Sequence, residues 1–253
     1  KNIKTICIGN IYLGGTGKTP LTIKINTMLR DLGFKTATIK KYYKNQIDEQ
    51  KILNEKTKLY CLKKRSAAVQ LAVKDKVDIA IFDDGLQDSK IDYDLKFVCF
   101  NSSKWVGNGK LLPAGPLREN ISSLCKYDAV FLNGENENVE NQKNIIRELS
   151  PKIQIFETKY YLMNIHNINI LDKYTIFSGI GNPDSFKETL LANKVQIFKE
   201  FIFPDHYDYK DNDINMIKSY AKKFNTKILT TEKDFIKLKP FLSNGIDVIK
   251  VEL

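Results

Sequence analysis

Short apolar runs alternate with stretches whose apolar residues recur every three or four positions. The runs at 5–9, 36–39, 59–62, 77–82, 95–100 and 129–132 predict strands. Between them lie helical patterns. At 20–32, Leu21, Ile25, Met28 and Leu32 share one face, Pro20 suits the first turn and Gly33 supplies the stop. Further helices are predicted at about 66–74 and at 140–149. Such alternation predicts an α/β fold with a mainly parallel sheet flanked by helices.

After Pro151 the texture changes. Residues 153–161 and 165–171 are predicted as two extended connecting strands. A smaller α/β unit is expected beyond them, with strands at 174–178, 196–202, 227–230 and near 248–251, and helices at 183–191 and 211–224. The expected division is a first domain over 1–160 and a smaller C-terminal α/β domain over 161–253, which includes the linking strands.

Composition narrows the class without naming a function. The 253 residues are 42% hydrophobic, enough for one large or two modest cores. No apolar run is long enough to span a bilayer, and no secretory signal is evident. The chain enters its first strand within a few residues of Lys1, and whether a segment precedes it stays open. Cys7, Cys61, Cys99 and Cys125 lack paired spacing, so they read as buried free thiols of a reducing compartment rather than disulfide or zinc ligands. Of 40 basic residues all but four are lysine, and the net charge is +10. They are spread along the chain with no nucleic-acid module, so no nucleic-acid partner is expected.

The chemistry begins at Gly14-Gly15-Thr16-Gly17-Lys18-Thr19-Pro20, directly after the first strand. This is a phosphate-binding loop. Glycines let backbone N–H groups close around phosphate oxygens, Lys18 reaches the β- and γ-phosphates, and Thr19 offers its hydroxyl to Mg²⁺. The helix that follows points its positive end at the same phosphates. Tyr12 stands where the strict pattern has its first glycine. Asp83 and Asp84 close an apolar strand, the place of the carboxylate that holds Mg²⁺ beside such a loop. Which of the two is nearer the metal stays open, as does a plain turn-capping role. Arg118 ends a stiff Pro/Gly loop, where its planar fork suits a phosphate clamp and an ion pair with Glu119 is the alternative. His206 lies in a strand-to-helix loop, a common place for catalytic groups. Asp48-Glu49 opens a helical stretch and reads first as an N-terminal cap.

Taken in order, the loop at 14–20, Asp83-Asp84-Gly85-Leu86-Gln87, the stretch from Gly107 to Glu119, Phe203-Pro204-Asp205-His206 and Thr230-Thr231-Glu232-Lys233-Asp234 resemble the tetraacyldisaccharide 4′-kinases of lipid A biosynthesis. The resemblance runs from residue 5 to about 240. It implies a P-loop kinase domain joined by extended strands to a smaller α/β domain. The implied reaction uses ATP and Mg²⁺ to phosphorylate the 4′-hydroxyl of a lipid A disaccharide 1-phosphate precursor. It would run at the cytoplasmic face of the bacterial inner membrane, on a peripheral enzyme with no obligate protein partner. The resemblance assigns Asp48 and His206 as a catalytic pair, with Asp48 taking the hydroxyl proton, and Arg118 as a phosphate holder. The family's N-terminal membrane-associated helix is not among these 253 residues, and whether one precedes Lys1 stays open. The chain departs from the family pattern at Ile47-Asp48-Glu49-Gln50 (usually Gly-Asp-Glu-Pro), at Lys40-Lys41-Tyr42-Tyr43 (Ser-Arg-Gly-Tyr), and at Asp88 and Tyr207 (both His).

Two other readings use the same loop. A nucleotide-switched P-loop ATPase would not need the Arg118 loop or His206, and a metallochaperone of that type would carry a Cys/His cluster that is missing. The second is a kinase of a soluble anionic small molecule, which an assay with detergent-solubilised lipid acceptor separates from a lipid kinase. A GTPase is discounted, because Thr231-Glu232-Lys233-Asp234 has the letters of a guanine-reading motif in the wrong order.

Overall fold

The computed structural model describes residues 3–134 and 136–253. They divide into two compact units, one within residues 3–44, 52–134, 136–159 and 253, the other within 45–51 and 160–252.

In the first unit the strands are β1 (Lys4–Gly9), β2 (Thr36–Lys41), β3 (Leu59–Leu62), β4 (Ile79–Asp83), β5 (Leu95–Asn101), β6 (Ala129–Asn133) and β7 (Gln154–Thr158). All pair in parallel, in the order β3-β2-β4-β1-β5-β6-β7. The helices are α1 (Lys18–Asp31), α2 (Ile47–Lys56), α3 (Arg65–Lys74) and α4 (Val139–Leu149), and α2 runs from one unit's residues into the other's. Strand side chains alternate between faces. Cys7 of β1 packs with Ala68 and Ala72 of α3, whereas Ile6 and Ile8 pack with Leu21 of α1. Burial on both faces is why these strands read as continuous apolar runs. The chain leaves β1 for one side of the sheet and later crosses to the other, so the ends of β1 and β4 open at the switch point where such sheets bind ligands.

The expected face of α1 holds at Leu21 and Ile25, which pack into the core, but not over its last turns. Met28 and Leu32 are exposed, and the buried positions are Leu21, Thr22 and Asn26. Asn26 is buried because it is satisfied there. Its amide donates to Thr38 Oγ1 at 3.3 Å, and Thr36 Oγ1 donates to its carbonyl at 3.1 Å.

The second unit contains β8 (Tyr161–Leu162), β9 (Lys173–Ser178), β10 (Gln196–Ile202), β11 (Lys227–Thr231), β12 (Ile246–Ile249) and β13 (Val251–Glu252). Its helices are α5 (Pro183–Ala192), α6 (Asp211–Lys223), α7 (Glu232–Phe235) and α8 (Pro240–Ser243). Four strands form a parallel sheet ordered β10-β9-β11-β12, with one core around Tyr174, Ile176 and Leu190 and another around Phe177, Ile214 and Ile217.

The two expected connecting strands are corrected. Within 153–161, β7 is a strand of the large sheet, paired to β6, because Ile153 and Ile155 are drawn into the core beside Val130 and Ile146. Residues 165–171 are a 3₁₀ turn at Ile165–Asn167 and then a loop. Asn164 ends the pairing there, its amide donating to Val248 O at 2.7 Å and its carbonyl accepting from Lys250 N at 2.9 Å. Of the cysteines, Cys7 and Cys99 are buried thiols, but Cys61 is half-buried and Cys125 exposed.

Candidate active site

The loop after β1 is held from inside. Buried Asn10 donates to Thr16 Oγ1 at 3.0 Å and to Gly14 O at 3.3 Å, and Asn133 donates to the Thr16 carbonyl. Gly14 and Gly17 have φ of 114° and 87°, a region that side chains disfavour. Gly17 precedes α1, whose N-terminus has no side-chain cap and no acidic residue in its first turn. Its free N–H groups and positive dipole end therefore suit a phosphate. Lys18 and Thr19 are the first two residues of that helix.

The glycine missing at position 12 has a structural reason. Tyr12 forms a strand-like bridge with Leu117, flanked by Leu13 N donating to Pro116 O at 2.8 Å and Arg118 N donating to Ile11 O at 2.7 Å. Extended backbone needs no glycine. The same contacts fix the Pro/Gly loop and bring Arg118 back to Asp84, Nη1 to Oδ1 at 3.2 Å. The ion pair that Arg118 forms is thus with Asp84. Glu119 instead accepts from Gln87 at 2.9 Å and from the Tyr127 hydroxyl at 2.8 Å.

Asp83 and Asp84 point to different partners. Thr19 Oγ1 donates to Asp83 Oδ2 at 3.2 Å, and Lys40 Nζ donates to the same oxygen at 2.7 Å. Lys40 and Asp83 are register partners on the neighbouring strands β2 and β4, and their side chains are 2% and 0% exposed. Asp83 Oδ1 is buried and accepts no hydrogen bond. An orphaned carboxylate oxygen beside a threonine hydroxyl is a hard oxygen donor set that fits Mg²⁺. That ion commonly takes one or two carboxylates plus phosphate oxygens and water.

The second cluster lies within the second unit. Asp48, in the first turn of α2, is buried, and His206 Nδ1 lies 3.1 Å from its Oδ1 and 3.2 Å from its Oδ2. Lys233 Nζ stands 3.7 Å from Asp48 Oδ2, 3.2 Å from Glu49 and 3.3 Å from Asp205. Burial alone would raise the Asp48 pKa, but the His206 hydrogen bond and the Lys233 charge outweigh it and hold the carboxyl below its usual range. An ionised Asp48 only accepts, so His206 Nδ1 carries the hydrogen. For Lys233, burial works against the charge, yet Glu49, Asp205 and Asp48 push its pKa up.

This cluster rests on a closely packed, hydrogen-bonded floor. His206 sits at φ 59°, with its N–H donating to Gly179 O at 3.2 Å and Asp205 Oδ1 at 3.0 Å. A Cβ on Gly179 would lie 3.0 Å from the Tyr209 hydroxyl and 3.1 Å from Pro204 O. Asp234 is fully buried and accepts from Gly179 N, Tyr209, Thr231 and Lys237.

The expected loop residues, Asp83, Asp84 and Arg118 therefore share the first unit, and Asp48 and His206 share the second. Sequence reasoning gives no role to Lys40, Arg65 or Lys233, and reads Glu49 only as part of a helix cap. Lys233 lies within Thr230-Thr231-Glu232-Lys233-Asp234 and Lys40 within a stretch that departs from the family pattern, but Arg65 carries no signal beyond residue type.

A phosphate loop at the end of a central parallel strand, with a strand-ending aspartate against its threonine, defines a P-loop nucleotide-binding protein of the α/β class. The family model for LpxK, tetraacyldisaccharide-1-P 4′-kinase, matches residues 1–253. A tetraacyldisaccharide 4′-kinase of Pelagibacter ubique is 48% identical over 251 residues, covering 99% of this chain and 80% of that protein. One of Rickettsia typhi is 34% identical over 268 residues, covering 99% and 81%. A crystal structure of LpxK from Aquifex aeolicus in complex with ATP shares the fold at a TM-score of 0.70 and 21% identity, covering all of this chain and 84% of that one. The chain belongs to the tetraacyldisaccharide-1-P 4′-kinase family. It is accordingly a phosphotransferase of lipid A biosynthesis, and the nucleotide-switch reading is not favoured. Among the described residues no helix is long and apolar enough to cross a membrane.

Proposed function

We propose that this protein transfers the γ-phosphate of ATP, bound with Mg²⁺, to the 4′-hydroxyl of tetraacyldisaccharide 1-phosphate, as a peripheral enzyme at the cytoplasmic face of the inner membrane. On this reading residues 1–160 are the kinase domain and 161–253 the smaller α/β domain. The observation that carries the donor side is the Thr19–Asp83 pair with its open buried oxygen. The acceptor is read from the family.

In the first unit, the backbone of Gly14, Gly15, Thr16 and Gly17 and the ammonium of Lys18 would hold the phosphates, and Thr19 and Asp83 would hold Mg²⁺. The ion supplies charge neutralisation of the phosphate oxygens. Asp84 is engaged by Arg118, so Arg118 acts through that pair to fix the end of β4 and leaves its remaining N–H groups for phosphate. In the second unit, Asp48 accepts the hydroxyl proton. The hydroxyl oxygen bonds to phosphorus as the bond to the ADP oxygen breaks, and ADP leaves. A carboxylate held below its usual pKa is a weak base, which suits a loose transfer in which the proton departs late. His206 orients that carboxylate, and Lys233 keeps it ionised.

The test is ATP-dependent phosphorylation of detergent-solubilised tetraacyldisaccharide 1-phosphate. Formation of the 4′-phosphorylated product is expected. ATP hydrolysis with no phosphorylated acceptor would overturn the proposal in favour of a nucleotide switch.

A further inference from the structure

One face of β2 carries polar groups at three alternate positions, Thr36, Thr38 and Lys40, all buried. The two hydroxyls meet Asn26 of α1, so this is the side of the sheet that the phosphate-loop helix covers. Lys40 reaches the neighbouring strand, where its Nζ donates to Asp83 Oδ2 at 2.7 Å. Desolvating an ammonium costs free energy. This chain nevertheless places one beside the loop, at a position where the family pattern has serine.

Its partner is the carboxylate that Thr19 also meets. Both donors use Oδ2, whereas the buried Oδ1 accepts nothing. The carboxylate is held by one oxygen and presents the other. The next residue, Asp84, is paired as well, with Arg118 at 3.2 Å. Both acids at the end of β4 are therefore balanced by a cation. The first turn of α1 adds no acid and begins with Lys18. The phosphate end of the loop is thus positive before any metal ion is bound. An unpaired buried carboxylate there would repel a triphosphate through a medium of low dielectric, and a divalent ion would have to screen the two. Lys40 supplies that screening from within the fold.

We infer that Lys40 is a positioning residue that loosens the coupling between nucleotide and divalent ion: its fixed charge offsets Asp83, so ATP binds almost as tightly without Mg²⁺ as with it. The ion remains needed for transfer. The inference rests on the proposed donor site, in which Thr19 and Asp83 would hold Mg²⁺. Coupling is reciprocal, so Lys40 equally reduces how far bound nucleotide tightens the hold on the ion.

The test is calorimetric titration of the full chain with ATP, once in excess Mg²⁺ and once in EDTA. The readout is the ratio of the two dissociation constants, which needs no turnover. In the wild type the ratio should stay below about tenfold, and in Lys40→Ser it should rise to about a hundredfold, within the ~5–150-fold span of coupled ligands. Lys74→Ser, which removes an exposed lysine from the last turn of α3, should keep the wild-type ratio. A merely structural lysine would weaken both titrations alike, so a ratio in Lys40→Ser no wider than the wild type's overturns the inference. A ratio that widens equally in Lys74→Ser also overturns it, because net charge would then be the cause. If circular dichroism shows Lys40→Ser unfolded, the wild type decides alone: a ratio below the stated limit supports the inference and one above it overturns it. ATP binding by the wild type in Mg²⁺ only sinks the inference and leaves the kinase reading intact. Binding under neither condition sinks the donor site and the inference together.

Discussion

Replacing Lys40 by methionine removes a buried cation and nearly preserves its volume. The ammonium lies 2.7 Å from Asp83 Oδ2, with both side chains essentially without solvent. At an effective dielectric near 20, that separation corresponds to a Coulomb attraction of about 6 kcal/mol. Desolvation of the two ions offsets much of it, so the intact pair adds little net stability. The single variant differs, because it leaves a buried carboxylate with the Thr19 hydroxyl as its remaining partner. Breaking such a pair costs about 3–5 kcal/mol, a large share of the ~5–15 kcal/mol that holds a domain together. The assay is urea unfolding followed by the emission of Trp105, the single tryptophan, which packs on Phe100 in the first unit. With a slope of ~1–3 kcal/mol per molar urea, the midpoint should fall by about 2 M. A Lys40→Met/Asp83→Leu variant should regain most of that loss, since no lone charge remains. A loss below about 1 kcal/mol in the single variant, the size of an exposed pair, would refute the reasoning. So would a double variant no more stable than the single.

Three further outcomes follow from the proposed mechanism. Lys18→Ala should abolish transfer to the disaccharide, measured as 4′-phosphorylated product; residual transfer near the wild-type rate would remove Lys18 from the reaction. Asp48→Asn should lower kcat by about 10²–10⁴-fold, the range for a lost general base, while a nucleotide titration shows ATP still bound; wild-type turnover would sink its assignment as the base. Because the folded protein holds the Asp48 pKa below its ordinary value, ionised Asp48 contributes stability that is present above about pH 4. That contribution is lost as pH falls through the lower folded-state value. The stability advantage of the wild type over Asp48→Asn, read by circular dichroism during denaturation, should therefore shrink on acidification across that window, and a constant advantage would contradict the pairing.

The donor half of the site was readable because its parts are local. Gly14, Gly17, Lys18 and Thr19 act through consecutive backbone, and Asp83 is marked by the apolar run it ends. The partners that set the electrostatics were not readable, because register and loop closure place them. Lys40 looked like one more lysine among many, until the parallel pairing of β2 and β4 put it opposite Asp83. Asp48 resembled a helix cap from local sequence. Its contact with His206, 158 residues away in sequence, exists only in the folded unit. The later half of the α1 face departs from the pattern for a related reason. Hydrophobic periodicity favoured Met28 and Leu32, but the paired hydroxyls of Thr36 and Thr38 made Asn26 a satisfied core residue.

The stretch Lys40-Lys41-Tyr42-Tyr43, where the family usually has Ser-Arg-Gly-Tyr, gains meaning from these placements. Two adjacent residues at the end of a strand point to opposite faces of the sheet. Lys40 turns to the end of β4 and neutralises Asp83, whereas Lys41 lines a basic cavity of about 780 Å³ together with Arg65 and Arg118. Where the family pattern carries one arginine, this chain places two cations, one on each side. A cation on Asp83 offsets the carboxylate's charge at the oxygen that also meets Thr19, while Oδ1 stays open. Its effect is to fix the carboxylate's orientation before nucleotide arrives, at the expense of some attraction for a divalent ion. The same substitution therefore changes two places at once, the carboxylate that meets Thr19 and the wall of a separate basic cavity.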